Sequence, residues 1–218
     1  HNLPVRVIGS GGGVVYAPLG STHIAIEDIA ILRAIPNMTI ISPSDAEEMK
    51  RLMPHTLDWP NPIYIRLAKG GDPILAGKDN AFEIGKAITV IDGARIVFIS
   101  TGTTTYIAKQ AADILANDGI DVGVVHVHTI KPLDTEKILK TIAEAQIVLT
   151  IEEHRITGGL GSALSELIAE EHEGKAIKFK RIGFPDVFTE ELGSQNEIMD
   201  KYGITVENIL KITKELLH

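Results

Sequence analysis

The 218 residues carry 21 Lys and Arg against 29 Asp and Glu, a formal net charge of −8, with no cysteine. That balance argues against general binding to nucleic-acid backbones, and the missing cysteines exclude disulfides and thiolate chemistry. No apolar run approaches the roughly 20 residues that cross a bilayer, so neither nucleic acid nor membrane is an expected partner, and a cytoplasmic location is the default. The first predicted element is a strand over Val5–Ile8. It runs into Gly9, Gly11, Gly12 and Gly13, where few side chains can block a close approach. Thr22 is a plausible N-cap for a helix to about Ile35, stopped by Pro36 and Asn37. Met38–Ile41 then has the apolar character of a strand.

Ser44 and Glu47 have capping-box spacing ahead of a helix over Asp45–Met53, and Pro54, Pro60 and Pro62 predict an irregular connection. Ile63–Leu67 is a short strand. Ala68–Asn80, with Gly70, Gly71, Pro73 and Gly77, reads as a linker, placing a domain boundary near residue 76. Beyond it come strands at Arg95–Ser100, Val122–Val127, Ile147–Ile151 and Ile177–Ile182. Helices at Thr103–Asn117, Asp134–Glu144, Gly158–Glu171 and Thr205–Leu217 alternate with them, while Asp186–Asn196 reads as irregular. Strands alternating with helices indicate βαβ units. The expected fold is α/β: two three-layer units with mostly parallel sheets, over residues 1–76 and 77–218.

Within that frame His23 falls in the first helical turn, at the positive end of the helix dipole, where an anionic or oxyanionic substrate group can be held. The plainer reading is a histidine that caps or packs at a helix start. Arg66, near the end of its strand, has a planar fork suited to phosphate or carboxylate, or is simply an exposed strand-end charge. His126 and His128 share a strand face and can be part of a zinc site, though no third ligand is placed. Glu152, Glu153 and His154 lie after a strand and before a helix, where α/β sites collect. Gly9–Gly13 fails the dinucleotide fingerprint, which needs glycine at Val14; Ser100–Gly102 and Gly158–Gly161 are weak phosphate-cradle candidates, more often plain strand–helix packing.

Thr22-His23, Ile26-Glu27-Asp28, Arg33, Pro36-Asn37-Met38, Pro43 and Asp45 resemble the second half of the pyrimidine-binding domain of the transketolase family. Glu152-Glu153-His154 followed by Gly158-Gly159-Leu160-Gly161 resembles that family's C-terminal domain. The resemblance implies a thiamine-diphosphate and magnesium enzyme that transfers a two-carbon ketol unit from a ketose, or ketose phosphate, to an aldehyde. It implies that His23 contacts the sugar, that an arginine at Arg66 grips its phosphate, and that Glu152-Glu153-His154 is structural or at an interface. It also implies a partner, an N-terminal section or subunit carrying the diphosphate-binding domain, in a homodimer or heterotetramer, and the chain reads as a C-terminal section.

Departures from the family pattern bear on the substrate. Leu19 stands where the family commonly has aspartate, and Gly11 where a second histidine would align, so a modified or less hydroxylated sugar is as much expected as an ordinary ketose phosphate. The catalytic glutamate of the family lies upstream of the matched region, neither Glu27 nor Glu47 replaces it, and a Gly-Asp-Gly diphosphate motif is absent. The chain alone is therefore expected to bind no cofactor and not to turn over. Alternatives within the class are a 1-deoxyxylulose-5-phosphate synthase or the beta subunit of a 2-oxo-acid dehydrogenase. Outside it stands a non-catalytic assembly or regulatory module.

Overall fold

The computed structural model describes residues 3–75, 82–174 and 176–217. The first half supplies β1 (Arg6–Ser10), two single 3-10 turns (Ala17–Leu19 and Ser21–His23), α1 (Asp28–Arg33), β2 (Thr39–Ile41), α2 (Ala46–Thr56) and β3 (Ile63–Leu67). The second half opens with β4 (Ile88–Ile91), β5 (Ile96–Ser100), α3 (Thr104–Asn117), β6 (Gly123–His126) and β7 (Thr129–Lys131). It closes with α4 (Thr135–Ile142), β8 (Ile147–Arg155), α5 (Leu160–Glu171), β9 (Lys178–Phe184), α6 (Gln195–Lys201) and α7 (Val206–Leu217). Among the described residues no helix is long and apolar enough to cross a membrane.

Two sheets result. The first has the order β1-β3-β2-β7, with β1, β3 and β2 parallel and β7 antiparallel to β2. The second has the order β4-β6-β5-β8-β9, all parallel apart from the edge strand β4. Alternate strand residues point to opposite faces, and the cores divide accordingly. In the second sheet Ile96, Phe98, Ile147 and Leu149 pack against Ala108, Ala112 and Leu115 of α3 and Ile209 of α7. Val97, Ile99 and Val148 face Ile138 of α4 and Leu164 of α5 on the other side. The first sheet is sandwiched likewise: Ile41, Ile63 and Ile65 cover Leu52 of α2, while Ile40 and Tyr64 cover Ile29 of α1. The expected three-layer α/β architecture is what the chain adopts.

Several boundaries differ from the sequence expectation, each for a local reason. The helix predicted from Thr22 begins only at Asp28, because Ala25 pairs with Gly13 in an antiparallel bridge and Ile24 is extended (φ −105°, ψ 130°). The cap of α2 is Asp45, whose carboxylate accepts from Glu47 N and Glu48 N at 2.9 Å each, rather than Ser44. That helix continues through Pro54, whose missing N–H falls in the last turn. β8 extends through Glu152-Glu153-His154-Arg155. β4, β7 and α6 occupy stretches assigned no element, so the second sheet has five strands rather than four. Residues 76–81, where the predicted domain boundary falls, lie outside the described residues, as does the end of the predicted linker.

Candidate active site: the glycine loop and the His23 turn

At the carboxyl end of β1 the chain leaves the sheet and returns in a closed loop. Gly11 N and Gly12 N both donate to Leu67 O at 2.9 Å, and Gly13 and Ala25 exchange hydrogen bonds of 2.8 and 3.0 Å. Residues 14–24 are thus an excursion fixed at its base, and they carry Tyr16, Leu19, Thr22 and His23. Gly11 has φ +84°, and a Cβ there would collide with the Tyr16 ring, so a histidine at this position requires Tyr16 to move.

His23 ends the second 3-10 turn and is exposed, with Nδ1 2.9 Å from the Thr22 hydroxyl. It is not in the first turn of an α-helix, so the expected helix dipole does not act on it. What remains is an accessible imidazole on an anchored loop. In the tautomer whose Nδ1 accepts from the Thr22 hydroxyl, Nε2 carries the proton and can donate to a carbonyl or hydroxyl oxygen. Leu19, 58% exposed on the same excursion, presents a hydrocarbon surface beside it in the chain.

Arg66 is neither a free phosphate fork nor an exposed strand-end charge. It is 6% exposed; Nε donates to Asp28 Oδ2 at 2.8 Å, and Nη2 donates to Ala25 O and Glu153 O at 2.9 and 3.0 Å. The Tyr64 hydroxyl donates to the same Asp28 oxygen at 2.7 Å. Burial pushes the Asp28 carboxyl up, but Arg66, Tyr64 and His154 together hold it below the ordinary carboxylate value. Among the described residues no partner is found for Arg66 Nη1. His23 and Arg66 share no hydrogen-bond partner; their link runs through the backbone, since Arg66 holds Ala25, two residues after His23.

Glu152, Glu153 and His154 are buried and each grips another element. Glu152 accepts from Leu160 N and Gly161 N at 2.7 and 2.8 Å, so the start of α5 is already occupied by a carboxylate and the phosphate-cradle reading of Gly158–Gly161 is overturned. Gly102 N donates to Ser42 O at 3.2 Å, which makes the Ser100–Gly102 turn a packing contact with the first sheet. His154 Nδ1 donates to Arg155 O (2.8 Å), leaving Nε2 to accept from Ala30 N (3.3 Å) in the first turn of α1. An imidazole from β8 thus caps a helix that has no side-chain cap of its own. Glu153 accepts from Val14 N at 2.8 Å, at the foot of the His23 loop.

His126 and His128 do not form a zinc pair. His126 Nε2 meets Glu48 Oε2 at 2.9 Å and its Nδ1 meets the Thr105 hydroxyl at 2.8 Å, whereas His128 stacks on Phe82. Among the described residues no group of three His, Cys, Asp or Glu is placed to hold a metal ion.

The buried histidines make stability pH-dependent. Burial holds His128 and His154 down to about 4, so each is neutral in the fold and takes up a proton on unfolding in acid. Their contribution is complete above about 6.5 and is lost as pH falls toward 4. Glu152 acts oppositely: burial pushes it up to about 7, so its contribution fades as pH rises from 4.5 toward 7. Burial raises Glu153 as well, so two glutamates oppose the two histidines, and the share of the cap is read against His154→Gln: as pH falls from 6.5 to 4.5 the wild-type urea midpoint is expected to drop relative to that of the variant. Parallel profiles for the two chains over that interval, measured by fluorescence of Trp59, would contradict the neutral-imidazole cap.

The fold agrees with what the chain is similar to. Family models for the transketolase pyrimidine binding domain and the transketolase C-terminal domain match residues 1–71 and 85–209. The chain belongs to the transketolase family, and like the subunits it resembles it is a section of a transferase. It is 36% identical over 214 residues to an apulose-4-phosphate transketolase subunit of Phocaeicola vulgatus, covering 98% of this chain and 67% of that protein. It is 33% identical over 214 residues to a 6-deoxy-6-sulfo-D-fructose transketolase subunit of Clostridium sp. strain MSTE9, covering 98% and 65%. A solved structure described as a split gene transketolase, inactive beta4 tetramer, superposes with a TM-score of 0.89 at 31% identity, covering 99% of this chain and 68% of that one. The chain spans about two thirds of the length of these relatives.

Sequence reasoning reached His23, Arg66 and the Glu152-Glu153-His154 element, but missed Asp28, Tyr64 and Gln195 as their partners. A signal for Tyr64 existed: it and Arg66 are two apart on one strand and share a face.

Proposed function

We propose that this chain is the substrate-orienting section of a transketolase-like enzyme that moves a two-carbon ketol unit from a ketose or ketose phosphate to an aldehyde. The observation that carries the reading is the exposed His23 on a loop closed at its base by the Gly13–Ala25 bridge. Its Nε2 donates to an oxygen of the sugar, and the loop fixes where that oxygen lies. Arg66 holds the loop base through Nη2 and reaches a substrate phosphate only through Nη1. The exposed Leu19 supports a substrate with fewer hydroxyls at that end, as do the relatives named for apulose 4-phosphate and 6-deoxy-6-sulfo-D-fructose. Residues 1–76 and 77–218 form its two units.

Thiamine diphosphate and magnesium belong to the complete enzyme. This chain is read as not holding them by itself, a reading supported by the lack of a three-residue metal-ligand group among the described residues and of the diphosphate motif in the sequence. A second section or subunit carrying the diphosphate-binding domain supplies that site, in a homodimer or heterotetramer, in the cytoplasm. Calorimetric titration of thiamine diphosphate with magnesium is expected to show heat of binding for the chain mixed with such a subunit and none for the chain alone. Binding to the isolated chain would overturn the division of labour. Absence of binding in both would favour a non-catalytic module.

A further inference from the structure

We propose that Glu153, held by Gln195, is a positioning residue for the His23 loop, so that the second unit sets the geometry of the substrate site carried by the first. The inference rests on the reading of His23 as a substrate group. The Glu153 carboxylate is 3% exposed and receives donors from three separate segments. Oε1 accepts from Val14 N at 2.8 Å, where the excursion begins. Gln195 Nε2, at the start of α6, reaches Oε1 and Oε2 at 2.9 and 3.0 Å. The Thr103 hydroxyl, just before α3, reaches Oε2 at 3.3 Å.

The loop is shaped to receive that carboxylate. Gly13 has φ +87°, and a Cβ there would run into Glu153 Oε1, so only glycine lets the loop base lie against the oxygen. Arg66 ties the far end of the excursion to the same residue, donating from one nitrogen to Ala25 O and Glu153 O. Both feet of the loop, Val14 and Ala25, are therefore anchored at Glu153, one through its side chain and one through its carbonyl. A buried carboxylate is costly unless donors offset it; the donors here offset part of that cost, burial still pushing the Glu153 carboxyl up, and in doing so they fix a loop 139 residues away in sequence. Gln195 is half-buried at the start of α6, a helix that also packs on the Ala17–Leu19 turn, so the route through Glu153 is told apart from direct packing by substituting both residues together.

The test is Gln195→Ala in the full chain, read by hydrogen–deuterium exchange at the Val14 amide alongside the urea midpoint. Exchange at Val14 is expected to quicken by roughly tenfold more than at other slow amides, with a modest fall in the midpoint because a buried carboxylate loses a donor, and the same substitution in a Glu153→Ala background is expected to add nothing. In the chain mixed with its cofactor-binding partner, Gln195→Ala is expected to raise KM for the sugar donor several-fold while kcat is retained. Unchanged exchange at Val14, or exchange that quickens at all slow amides alike, overturns the proposal. If the wild-type mixture shows no turnover, the reading of His23 fails by itself, while the exchange result still decides whether Glu153 holds the loop.

Discussion

Arg66→Ala is expected to destabilise the chain by about 3–5 kcal/mol, the range found when one partner of a buried ion pair is removed. Asp28, with its side chain 14% exposed, would be left beside Tyr64 without its cation, and Ala25 O and Glu153 O would lose their donor. The Arg66 side chain also fills space over Gly12, where its Cγ lies 2.7 Å from the position of an absent Cβ, so a packing defect adds to the electrostatic one. Arg66→Lys keeps the charge but cannot span three acceptors, and should fall between wild type and alanine. Urea unfolding gives the order directly. Loss of sugar binding by Arg66→Ala at undiminished stability would instead mark the residue as chiefly a phosphate ligand.

The second large effect falls on rate rather than stability. In the chain assembled with its cofactor-binding partner, His23→Ala is expected to lower kcat/KM by about 10²-fold or more, the scale of a positioned proton donor. Because the ring is exposed and its one side-chain hydrogen bond among the described residues is to Thr22, the unfolding midpoint should stay within about 0.5 kcal/mol of wild type. His23→Asn, which retains a donor, should recover part of the loss. Steady-state kinetics on the assembled enzyme settles this: unchanged kcat/KM for the alanine variant removes His23 from the site.

What the sequence made legible follows from which forces are local. Ile63–Leu67 matches its strand to the residue, and Asp134 caps α4, because an apolar run bounded by prolines and a capping carboxylate act within a few positions. His23 stood out by its neighbours in the chain. Its surroundings did not, since the bridge that breaks the predicted helix pairs Ala25 with Gly13, and the residue under the loop is Glu153. β7 was illegible for the same reason: three residues, Thr129–Lys131, become a strand only because β2 offers an unpaired edge. A cluster whose members lie at 14, 28, 66, 153 and 195 leaves no period for a linear reading to detect.

That borrowed strand has a practical consequence for anyone dissecting the molecule. Cutting the polypeptide near residue 76 would strip β2 of the backbone partners at Lys131 and Thr129 and leave Ile40 and Ile41 at a raw border. The amino-terminal piece would present open edges on both sides of its sheet, an invitation to self-association, while the carboxyl-terminal piece would carry a stray ribbon with nothing to bind. Separately expressed halves should therefore prove poorly soluble, and co-expression should rescue them.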